Sequence, residues 1–87
     1  MPRVFVPPFL KSLANGQQQF DIEGRSVRSV IDGLEEQLPG SRDRLVQGDV
    51  LRPGLSVAID GRVATLGLFQ KVEPTSEIHF IPAIGGG

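Results

Sequence analysis

Hydrophobic and polar residues change period several times along this chain. Residues 3–10 place Val4 and Val6 on one side and Phe5 on the other, the two-residue period of a strand. Pro7 and Pro8 lack N–H donors, so they belong at its end or at a sheet edge. Asn15-Gly16 is a turn signal that predicts a hairpin connection to residues 17–23. There Phe20 and Ile22 alternate with Gln19, Asp21 and Glu23, as in a half-buried strand. After Gly24-Arg25 the period lengthens. Ser26 reads as an N-cap, and Val27, Val30, Ile31, Leu34 and Leu38 then recur at helical spacing. Asp32, Glu35 and Glu36 fall on the wet side of that helix, and Pro39-Gly40 ends it.

Residues 41–53 are more polar, with Leu45, Val46, Val50 and Leu51 as expected anchors. A short helical turn is expected over residues 42–45, with loop after it. A strand resumes over residues 55–59, with Val57 and Ile59 on one face. Asp60-Gly61 reads as a tight turn and residues 62–64 as a short return. Leu66, Leu68 and Phe69 form a compact apolar segment, and residues 73–75 a turn. In the last strand, residues 77–81, Ile78 and Phe80 oppose His79 and Ile81. One amphipathic helix needs one apolar sheet face to cover, which makes the class α+β, with a mixed sheet of about four or five strands. An initial hairpin, a helix and a returning strand can set the last strand parallel to the first in the middle of the sheet. That is the β-grasp arrangement, one of several that satisfy this order.

At 87 residues the chain is a single domain near the small end of what folds without staples. Its 39% hydrophobic and 22% charged residues are those of an ordinary globular protein. The absence of cysteine excludes a disulfide framework, a thiolate metal site and a persulfide or thioester on the chain's own side chains. Net charge is −1 and the nine basic residues are scattered from Arg3 to Lys71, which argues against a nucleic-acid stripe. No apolar stretch reaches membrane-spanning length and Met1-Pro2-Arg3 has no signal-peptide pattern, so a cytoplasmic protein without membrane partners is expected. His79 is the sole histidine and faces solvent, so no metal site is expected. Glu35 and Glu36 are neighbours on a helix exterior rather than an acid/base pair, and no serine has an identifiable base. Arg25, Arg28 and Arg62 read as surface charge. No catalytic constellation emerges, and the chain is not expected to be an enzyme.

The last five residues, Ala-Ile-Gly-Gly-Gly at 83–87, carry the candidate chemistry. Glycines lack side chains to pack, so residues 1–82 are expected to form the folded domain and residues 83–87 a flexible thread. Fully extended, that thread reaches about 16–18 Å. Such a thread would let a partner's narrow active site take in the α-carboxylate of Gly87, with the backbone passing where any Cβ would clash.

Four stretches together carry a resemblance. They are Val4 to Leu10 (Val-Phe-Val-Pro-Pro-Phe-Leu), the helix beginning Ser26-Val27-Arg28-Ser29-Val30, the strand and turn from Leu55 to Gly61, and the ending Ile81-Pro82-Ala83-Ile84-Gly85-Gly86-Gly87. Over essentially its whole length the chain resembles the MoaD/ThiS family of ubiquitin-like sulfur carriers, which have the β-grasp fold. The resemblance implies that a ThiF/MoeB-like adenylating enzyme uses ATP and Mg²⁺ to activate the Gly87 carboxylate. A sulfur donor, either a sulfurtransferase or a cysteine desulfurase, then converts it to a thiocarboxylate for a downstream sulfur-accepting enzyme. Gly85, Gly86 and Gly87 form the tail motif, with Gly85 standing where alanine is often found. Phe5, Ile81 and Ile84 are the expected docking residues, on the sheet face opposite the helix or at the base of the tail. The long stretch between helix and third strand looks more like the molybdopterin-type and cysteine-biosynthesis-type members than the thiamine-type. A role as the small subunit of a molybdopterin-synthase-like enzyme falls within the same class. The alternatives are a ubiquitin-like modifier joined to lysines through Gly87 and a plain interaction module.

Overall fold

The structure, a computed structural model, describes residues 1–82. Strand β1 (Arg3–Phe5) leads through a 3-10 turn (Pro8–Leu10) into the one-turn helix α1 (Lys11–Ala14), and β2 (Gln19–Asp21) follows. Helix α2 (Val27–Gln37) and the short α3 (Ser41–Leu45) come next, then a two-stranded ribbon of β3 (Val46–Gln47) and β4 (Val50–Leu51). The chain closes with β5 (Leu55–Ile59), β6 (Arg62–Val63), a 3-10 turn (Gly67–Phe69) and β7 (Glu77–Pro82). Five strands form one mixed sheet in the order β2-β1-β7-β5-β6. β7 lies in its middle, parallel to β1 and antiparallel to β5. This is the expected β-grasp topology, and it makes the strand nearest the glycines the centre of the sheet.

Period-two alternation sorts the two faces. Phe20, Val4, Ile78 and Ile59 are aligned across four strands. With Val57 and Phe80 they pack against Val27, Val30, Ile31 and Leu34 of α2. Val4, Val27, Val30 and Ile78 are wholly inaccessible to solvent. The helix starts where expected. The Ser29 N–H donates to Ser26 Oγ at 3.1 Å and the Ser26 N–H donates to Ser29 Oγ at 3.0 Å, a capping box with serine in place of the usual glutamate.

Three expectations fail, each for a local reason. The first strand ends at Phe5 rather than Leu10, because consecutive prolines cannot donate to a ladder and Pro8 instead opens the 3-10 turn. Asn15 (φ 52°) and Gly16 (φ 90°) do take left-handed conformations. They terminate α1 there, however, so the link between the antiparallel β1 and β2 contains a helix rather than a two-residue turn. Residues 46–51 form the β3–β4 ribbon instead of loop, and Val50 lies exposed on it rather than anchoring. Asp60-Gly61 behaves as read. Both residues have positive φ (52° and 83°), the pair that a tight β5–β6 hairpin requires.

Gly33 yields a test in which two effects oppose. Replacing glycine by alanine inside a helix gains about 1 kcal/mol of propensity. A Cβ on Gly33, however, would stand 2.6 Å from the γ-methyl of Ile22, a buried β-branched side chain. Overpacking of this kind costs about 1–3 kcal/mol and exceeds the propensity gain. Gly33→Ala is therefore expected to lower the urea midpoint, whereas helix propensity alone predicts a rise.

Candidate docking surface

The sheet face turned away from α2 is where this fold leaves side chains uncovered. Gln19, Phe5, His79, Ala58 and Val63 form one row across all five strands. At its centre Phe5 and His79 stack with ring centroids 4.3 Å apart and planes within 5°. Such a pair adds about 0.5–1.5 kcal/mol beyond its buried area. It also holds two flat rings in the middle of the face. Ala58 is buried beneath the larger neighbours, while Val63 and Ile81 are 63% and 41% exposed. The next row towards the start of β7, with Asp21, Arg3 and Glu77, is charged, and Arg3 Nε lies 3.5 Å from Asp21 Oδ1. The face thus grades from charged to apolar along β7. At its apolar end Phe5, Pro7, His79, Ile81 and Pro82 line a depression of about 450 Å³ where β7 ends.

Phe5 and Ile81 are accordingly brought together on the face opposite the helix. They are not covered by the segment around residue 68, because Leu68 is buried beside Ile31 on the helix side. Leu66 and Phe69 of that segment point to solvent instead, Phe69 at 76% exposure. His79 is exposed as expected. Its stacking on Phe5 is not encoded in either residue's own pattern, because it depends on the β1–β7 register. Ile84 and Gly85, Gly86 and Gly87 lie outside the described residues, as does the expected division into a domain and a thread.

Glu35 lies on the helix exterior as expected, and it has a role there that its sequence pattern does not show. Its carboxylate accepts N–H bonds from Arg42 at 2.9 Å and from Gly40 at 3.0 Å. Those donors come from the start of α3, which has no side-chain cap of its own. The Arg42 and then the Gly40 hydrogen bond hold the Glu35 carboxyl below its ordinary value of 4.5. A carboxyl lowered on folding stabilises fully above its unfolded pKa and loses that contribution as pH falls through the folded one. Glu35→Gln should therefore cost about 1 kcal/mol near neutral pH. The cost should shrink below about pH 4, read from urea midpoints of both proteins across that range.

Among the described residues no three His, Asp or Glu side chains are grouped to hold a metal ion. No described helix is long and apolar enough to cross a membrane.

A family model, the ThiS family, matches residues 5–87. The chain belongs to the ThiS family. It is thus one of the ubiquitin-like sulfur carriers that its sequence resembles, a group of small proteins that are carriers rather than enzymes. No curated protein matches it significantly by sequence. Among solved structures it is similar to the CysO chain of the Amycolatopsis orientalis BexX/CysO complex, with a TM-score of 0.91, 25% identity and 100% of each chain covered. It also shares the fold of Mycobacterium tuberculosis CysO, with a TM-score of 0.87, 20% identity, and 97% of this chain and all of that one covered. Methanosarcina acetivorans small archaeal modifier protein 1 has the same fold, with a TM-score of 0.79, 22% identity and coverage of 99% and 95%.

Proposed function

We propose that this ThiS-family protein, in the form ending at Gly87, carries sulfur as a C-terminal thiocarboxylate. A carboxylate is a poor electrophile, because its charge repels nucleophiles and its leaving group would be oxide. Attack of the Gly87 carboxylate on the α-phosphate of ATP expels pyrophosphate and leaves an acyl-adenylate. The outer sulfur of a cysteine persulfide on a sulfurtransferase or cysteine desulfurase then displaces AMP to give an acyl disulfide. A thiol cleaves its S–S bond, leaving the thiocarboxylate on Gly87 and a disulfide on the donor side. Positioning and electrostatics in a ThiF/MoeB-like partner, with Mg²⁺ on the nucleotide, supply the catalysis. The carrier contributes its end group and the face that bears Phe5 and Ile81, with Ile84 just beyond.

The observation carrying this reading is the position of β7. The central strand ends at Pro82 beside the apolar end of an exposed face, so a partner gripping that face is held next to the last described residue. The likeness to a CysO chain solved together with BexX favours a cysteine-type or related pathway over the thiamine type, with a second protein receiving the sulfur.

The test is ATP–pyrophosphate exchange by the ThiF/MoeB-like enzyme of the same organism. Exchange should require this chain and vanish when Gly86 and Gly87 are deleted. Equal exchange with the shortened chain contradicts the proposal. Stable adducts on lysines of other proteins, formed once the chain is activated, would favour a modifier instead.

A further inference from the structure

A second surface adjoins Pro82, on its other side from the Phe5–His79 stack. It is a groove walled by Pro8, Phe9, Leu55 and Pro82 and rimmed by Arg44 and Arg52. Pro8 and Pro82 also line the sheet-face depression, so the two surfaces meet where β7 ends. Both arginines are tethered by neutral groups. Arg44 Nη1 donates to the Phe9 carbonyl at 3.2 Å, and Arg52 Nε donates to the Asp43 carbonyl at 2.6 Å. Neither has a carboxylate within ion-pair distance among the described residues, whereas Arg3, Arg42 and Lys71 each do.

A guanidinium has five N–H donors, so each arginine keeps most of its fork free. Tethering by backbone carbonyls reduces the side-chain entropy that binding must remove. Two held positive forks beside an apolar trough fit one kind of occupant, an extended segment presenting carboxylates at its edges and an apolar side chain between them. We infer that this groove is a docking site for an acidic, apolar-centred segment of the adenylating partner. Its carboxylates pair with Arg44 and Arg52 while its apolar side chain enters between Phe9 and Leu55. Engaging it together with the sheet face holds the carrier on both sides of Pro82, the last described residue. Glu35 contributes indirectly, since it caps the α3 that carries Arg44.

This inference rests on the carrier reading, and the experiment separates the two. ATP–pyrophosphate exchange is measured with the intact chain as varied substrate, for wild type, Arg44→Glu/Arg52→Glu and Arg44→Gln/Arg52→Gln. Thermal melts accompany each variant, and the glutamine pair keeps the test decisive where charge reversal harms folding. The double glutamate variant is expected to raise KM at least tenfold with kcat within about twofold, and the glutamine variant to raise it by less. The difference should narrow as salt is raised. A KM within twofold of wild type for both variants overturns the docking site while leaving the carrier reading intact. A lowered KM overturns it too, because the groove would then hold the chain's own terminal carboxylate. A groove-dependent dimer in sedimentation makes the occupant a second copy and is equally contradictory. Failure of the wild-type chain to support exchange removes both.

Discussion

Appending a single alanine after Gly87 should abolish activation without altering the fold. One extra residue moves the terminal carboxylate about 3.3–3.6 Å along an extended backbone. Misplacing a reacting group by about 1 Å can already cost about a hundredfold in rate. The former Gly87 carbonyl would also become an amide, which has no anionic oxygen with which to attack phosphorus. A loss of at least a hundredfold in ATP–pyrophosphate exchange is expected. The melting temperature should stay put, because additions away from the core change stability by no more than about 0.5 kcal/mol. Equal exchange by the extended chain would remove the end group from the mechanism.

The largest effect on stability is expected at Ile78. It sits on the central strand, is wholly buried, and is aligned with Val4 on one side and Ile59 on the other. Sheet neighbours cannot easily collapse into the space a lost side chain leaves, so Ile78→Ala should cost about 3–4 kcal/mol. A domain of this size is stabilised by only about 4–13 kcal/mol in total. The expected fall in melting temperature is about 12–32 °C, read by circular dichroism. Ile81→Ala, three residues along on the uncovered face, should change stability by under about 1 kcal/mol. Similar losses at the two positions would contradict the assignment of faces.

How much of this was legible beforehand follows from the range of the interactions. The stripe Val27–Val30–Ile31–Leu34, its serine cap and the Asp60-Gly61 turn are encoded within a few residues of themselves, and they stand as read. So does the assignment of Ile78 and Phe80 to the buried face. The 3-10 turn and α1 are not legible in the pattern, because two prolines after a strand signal its end equally with the first turn of a helix. The Glu35 cap spans five and seven residues across Pro39-Gly40, beyond the reach of helical periodicity. The Phe5–His79 stack and the Arg44–Arg52 rim join positions brought close only by the tertiary fold. Sequence patterns named Phe5 and Ile81 as facing outward. They could not supply the shared row or the groove beside it.

The central claim is that sulfur is held on the end of residue 87, and mass spectrometry addresses it directly. The chain is incubated with ATP, Mg²⁺, a sulfide source and the ThiF/MoeB-like enzyme, and its intact mass is taken before its C-terminal peptide is fragmented. The predicted result is a gain equal to exchanging one oxygen for one sulfur, localised to Gly87 and absent without ATP. An unchanged mass under conditions that support exchange, or sulfur found anywhere else in the chain, contradicts it.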